Sequence, residues 1–203
     1  MASVPPPDVT AFILAGGKSK RMGMDKAFVE FDGRPLLARA LDLARSVPLD
    51  ARVVGSREKF AKFSPVVEDV FLDCGPLGGI HAALRASSTD LNLMLAVDMP
   101  FISAAFLKYL IHQSRTALGM VVVVPRTGGR WQPLCAIYRR EFADAAEAAL
   151  LASRNRIDSL FAAVQTRALD EEELKRNGFS SAIFRNLNTL EELKSEERVG
   201  EVK

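Results

Sequence analysis

Histidine, cysteine, tyrosine and tryptophan are scarce: the 203 residues contain 2, 2, 2 and 1 of them. Two histidines, His81 and His112, are too few for a metal site built on imidazole. Cys74 and Cys135 lie far apart and form no metal-ligand spacing, so they read as ordinary thiols of a reduced cytoplasm. No apolar run approaches the roughly 20 residues that a membrane span needs, and nothing at the start reads as a secretory leader. The expected compartment is the cytoplasm, with no membrane partner. An excess of one charge is also missing. Lys and Arg total 27 against 25 for Asp and Glu, a net +2, which argues against a nucleic-acid partner. What is present is apolar material: 48% of the chain is hydrophobic, over a length that suits one domain.

The apolar material alternates between two patterns. Val9–Leu14, Arg52–Val54, Pro65–Glu68, Leu91–Val97, Met120–Val124 and Pro133–Tyr138 read as strands. Pro125 is expected to end the fifth, and the sixth to pair across a turn at Gly128-Gly129. Pro35–Ser46, Glu58–Phe63, Gly79–Ala86, a segment capped by Ser103, and Glu141–Leu151 read as helices. Residues 1–7 read as a mobile tail, 8–195 as a single domain and 196–203 as a charged tail. This alternation implies an α/β fold with a mostly parallel central sheet and helices on both faces. Ligands in such sheets sit beyond the carboxyl ends of the strands. The residues to inspect therefore follow Leu14, Val54, Glu68 and Val97.

The segment Leu14–Lys26 follows the first strand and holds three glycines, four cations and one acid. Gly16 and Gly17 let the backbone approach a ligand closely, and its N–H groups can face an anion. Lys18, Lys20, Arg21 and Lys26 supply charge for a polyphosphate, and Arg21 can grip it with two parallel hydrogen bonds. A P-loop would need glycine where Phe12 stands, so Gly17-Lys18-Ser19 is an accidental match, and the spacing of a dinucleotide fingerprint is absent. A glycine-rich turn with solvated charges is the competing reading. Asp98 follows the fourth strand, and magnesium takes one or two carboxylates plus phosphate oxygens, so one well-placed Asp suffices. Ser103 is a better helix cap than Asp98. Asp69 is a weaker candidate, open also to reading as a solvated loop acid. The glycines of Gly75–Gly79 suit either a close-approach loop opening a helix or a plain tight turn. Asn186 and Asn188 share a face on an extended segment, and read equally as ligand contacts or turn residues. Thr189 and Glu192 form a possible capping box. Trp131 reads as packing under a hairpin, and His81 as a satisfied helix residue.

Leu14-Ala15-Gly16-Gly17, Arg21-Met22-Gly23 and Asp25-Lys26 together resemble the signature of the sugar-phosphate-type nucleotidyltransferases. Gly33–Leu37, Gly75–Gly79, Asp98–Phe101, Pro133–Tyr138 and Phe184–Thr189 continue the resemblance in order. The last block narrows it to the molybdenum cofactor guanylyltransferase family. The resemblance implies a Rossmann-like nucleotidyltransferase fold that joins GMP from GTP to molybdopterin. It implies Arg21, Lys26 and Asp98 as catalytic residues, with Mg2+ on Asp98. It places the nucleotide on Leu14, Ala15, Gly16, Gly17, Lys26, Asp69 and Asp98, and the acceptor on Asn186 and Asn188. Molybdoenzyme-maturation proteins are implied as further partners. Three departures stand out: Gly55 where an Asn is expected to help read the nucleotide, Gln132 for a His, and Leu190 for a Pro. A cytidylyl-transferring sibling, a transferase for a sugar phosphate or phospholactate, and a non-catalytic nucleotide-binding module are the other readings. Gly16-Gly17, the terminal asparagines, and the joint presence of Lys26 and Asp98 argue against them in turn.

Overall fold

The computed structural model describes residues 8–16, 25–47 and 49–187. Val9–Leu14 (β1) is buried along its whole length, as a central strand covered on both faces must be. It pairs in parallel with Asp50–Val54 (β4) on one side and Leu91–Ala96 (β6) on the other. Leu14 lies level with Val54 and Ala96, so three strands end together. Val66–Val67 (β5) extends the sheet beyond β4. On the far side Cys135–Arg139 (β9) runs antiparallel to β6, followed by Val122–Thr127 (β7) and Thr166–Asp170 (β10). The order is therefore β10-β7-β9-β6-β1-β4-β5.

Alternation along β1 sets the two layers. Ala11 and Ile13 face a core shared with Leu36–Ser46 (α1) and Ala104–Thr116 (α4). Phe12 and Leu14 face a second core formed with Pro76–Ala86 (α3) and Phe142–Leu151 (α5). Ser103 caps α4 as expected, accepting from Phe106 N at 3.2 Å. No helix among the described residues is long and apolar enough to cross a membrane.

Several local expectations are corrected. Arg57–Phe60 (α2) is shorter than the expected helix, and β5 keeps only two residues. Pro125 does not end its strand. Cys135–Arg139 pairs with β7 at Val122 and Val123 and Arg130–Trp131 pairs with it at Arg126 and Thr127, so Pro125 falls between the two ladders, where its missing N–H breaks neither. Pro125 faces Leu169 of β10, and its carbonyl accepts from Gln132 N at 2.9 Å. The Gly128-Gly129 turn joins β7 to the short Arg130–Trp131 (β8), not to β9. A hairpin of Glu30–Phe31 (β2) and Arg34–Pro35 (β3), the strand β10 and the helix Glu171–Arg176 (α6) had no reading in the sequence.

Candidate active site

The cleft lies where β1, β4 and β6 end. Ala15 N donates to Val54 O at 3.0 Å, and Val97 N donates to Leu14 O at 3.2 Å, so the chain leaving β1 stays pinned between its neighbours. A cavity of about 260 Å³ opens there, with Leu14, Ala15 and Gly16 on one wall and Val97-Asp98 on another. Lys26 enters it from a single 3-10 turn, Lys26–Phe28. Asp25 caps that turn, its Oδ1 accepting from Ala27 N at 3.2 Å, and thereby fixes the start of the segment that carries Lys26. Lys26 Nζ donates to Asp98 Oδ2 at 2.7 Å. Their side chains are 24% and 16% exposed, so the pair is screened less than a surface pair.

The opposite wall is the start of α3. Gly75 takes φ 66° and Pro76 occupies the first helical turn, so the positive end of α3 lies at the cleft, a favourable place for phosphate. Gly79 is needed for close packing: a Cβ there would lie 3.3 Å from Val54 Cγ1 and 3.5 Å from Asp69 Oδ1. Asp69 lines the cleft, and its Oδ1 is buried with no hydrogen-bond partner among the described residues. Burial raises its pKa above the usual carboxylate range. A buried acceptor left unpaired is costly, and a ligand N–H would remove that cost. Asp69 is therefore in the cleft and not a solvated loop acid.

Leu187 N donates to Asp98 O at 3.0 Å. This bond brings the terminal segment, with exposed Asn186 on it, beside the Lys26–Asp98 pair. Leu14, Ala15, Gly16, Lys26, Asp69 and Asp98 thus meet in one cleft. Gly17, Arg21, Asn188 and the Thr189–Glu192 box lie outside the described residues. Trp131 packs edge-on against Phe161 with 5.1 Å between centroids. His81 needs correction: it is buried, both ring nitrogens lack a hydrogen-bond partner among the described residues, and burial lowers its pKa. It lies edge-on to Phe71 and is not among the residues lining the cleft. Sequence reasoning did not single out Ala96 and Leu134, which also line the cleft. Ala96, level with Leu14, was reachable from the rule that strand ends line sites.

Residues 11–169 match the model of the MobA-like NTP transferase domain. The chain is 34% identical to a probable molybdenum cofactor guanylyltransferase of Pelotomaculum thermopropionicum, over 91% of this chain and 89% of that one. It is 33% identical to the molybdenum cofactor guanylyltransferase of Desulfosudis oleivorans, over 93% of this chain and 94% of that one. Its fold is similar to molybdopterin-guanine dinucleotide biosynthesis protein A of Archaeoglobus fulgidus, with a TM-score of 0.81 and 27% identity, covering 96% of this chain and 100% of that one. With the family's domain spanning the sheet and cleft described above, the chain belongs to the MobA-like NTP transferase family.

Proposed function

We propose that the chain transfers GMP from GTP to the terminal phosphate of molybdopterin carrying molybdenum, releasing pyrophosphate in the cytoplasm. The observation that carries this reading is the Lys26–Asp98 pair, held at 2.7 Å in a cleft that also receives the start of α3. Relatives covering nine-tenths of the chain supply the substrate class.

The residues fit magnesium in one particular way. The described residues contain no cluster of three or more His, Cys, Asp or Glu. Asp98 offers a single partly shielded carboxylate, which suits an ion that takes its other ligands from phosphate and water. When bound there, the ion supplies charge neutralisation at the α-phosphate. Without substrate, Lys26 balances Asp98. With triphosphate present, the same ammonium stabilises charge on the phosphates, assisted by the end of α3 and by Arg21. The acceptor's terminal phosphate is already ionised at neutral pH, so its attack on the α-phosphorus needs no general base. The residues lining the cleft include no histidine, in keeping with that chemistry. What remains for the protein is alignment of two anions and neutralisation of their charge. Asn186 orients the pterin or its phosphate beside Asp98, and molybdoenzyme-maturation proteins receive the product.

The test is Asp98→Asn. A neutral amide is a poor magnesium ligand, so the variant should keep its melting temperature and lose most turnover. Near-normal turnover in a folded variant would remove Asp98 from the metal role.

A further inference from the structure

The cleft has a second chamber. Ala15, Gly16, Asp69, Gly75 and Pro76 line both the part that holds Lys26 and Asp98 and a wider part of about 690 Å³. Asp25, Glu68, Asp69 and Asp73 line the wider part, and Lys59 is the cation among the described residues there. That set of charges repels a triphosphate and suits a neutral base, whose N–H groups need acceptors. Gly55 lines the same chamber without offering a side chain. A Cβ at Gly55 would lie 2.8 Å from Cε2 of the buried Phe60, and the backbone there has φ +152°. Polar reach from the end of β4 therefore passes to the next turn, to Ser56 and to Lys59 on α2. Lys59 Nζ donates to Asp25 Oδ2 at 2.8 Å. Asp25 is itself fixed by its cap on the turn that starts at Lys26. An ammonium has three protons. Asp25 engages one and anchors the lysine at the chamber.

Resting on the guanylyl reading above, we propose that Lys59 reads the base, donating a hydrogen bond from its ammonium to the C6 carbonyl oxygen of guanine. Adenine carries an amino group at that position, which an ammonium repels, so the same contact rejects ATP.

The test compares GTP with 2-aminopurine riboside triphosphate, which lacks the C6 oxygen and, with it, the N1 proton. Affinities are measured by calorimetry with magnesium for the full chain and for its Lys59→Met and Lys59→Arg variants. The unaltered chain should favour GTP by about tenfold or more, the scale of a charged hydrogen bond. Lys59→Met should shrink that ratio about tenfold by weakening GTP more than the analogue, leaving the part owed to the N1 proton, and Lys59→Arg should keep most of it. If Lys59→Met weakens both nucleotides equally, Lys59 acts only by steadying Asp25, and the base-reading role is overturned. An unchanged ratio overturns it as well. Failure of the guanylyl reading itself shows separately, as an unaltered chain that does not prefer GTP over CTP and ATP.

Discussion

Lys26 and Asp98 stand 72 positions apart in the chain and 2.7 Å apart in the cleft. Their separate roles become measurable once a second residue is compared. Lys26→Ala removes a charge from the end of the cleft proposed for the triphosphate, and should weaken GTP by roughly 1.5–3 kcal/mol, the range for hydrogen bonds to charged groups. Asn186 sits on the segment tied to Asp98 through Leu187 N, on the acceptor side of the proposal. Asn186→Ala should leave GTP affinity nearly intact and slow transfer to molybdopterin. Calorimetry with GTP and transfer assays on both variants check this. Equal loss of GTP affinity in the two would move Asn186 to the nucleotide side. At this scale the sequence was most informative where residue type and strand end coincide, as at Asp98. It was ambiguous at Asp69, because burial of one carboxylate oxygen depends on α3 packing over it, and no local pattern reports that. His81 was misread for the same reason: a helical position does not show whether imidazole nitrogens find partners.

Helix α3 sets how closely the segment bearing Asp69 packs at the cleft. Its first turn carries Gly78, where a Cβ would lie 2.8 Å from the carbonyl oxygen of Phe71. That neighbour is backbone and cannot rotate away. Gly78→Ala should cost about 1–3 kcal/mol as overpacking and lower the melting temperature. It should also weaken GTP by displacing the segment around Asp69, and melting curves with calorimetry would show both. An unchanged melting temperature would mean that the segment is not seated on α3. The glycine run was visible in the sequence, but its purpose was not, since a tight turn has the same composition. Short elements were harder still. Val66–Val67 was found as a strand but read two residues too long, and Arg130–Trp131, paired with Arg126 and Thr127 just across the turn, is too short to show a period.

Across the whole molecule, the alternation of apolar strands and amphipathic helices was sufficient for the α/β class, because each layer must bury one face. The turn at Gly128-Gly129 also announced that β9 runs back against β7, which it does, but not that β9 enters between β7 and β6, because an apolar run carries no mark of its second neighbour. The consequence is a cleft with Leu14 and Val54 on one side and Leu134, just before β9, on the other. That arrangement suits two substrates meeting at Asp98. The most direct measurement is pyrophosphate release from GTP, CTP, ATP and UTP, each with magnesium and with or without molybdopterin. Guanylyl transfer requires release from GTP that depends on the pterin, with little from the other three. Pterin-dependent release from CTP in place of GTP, or release from no nucleotide, would contradict it.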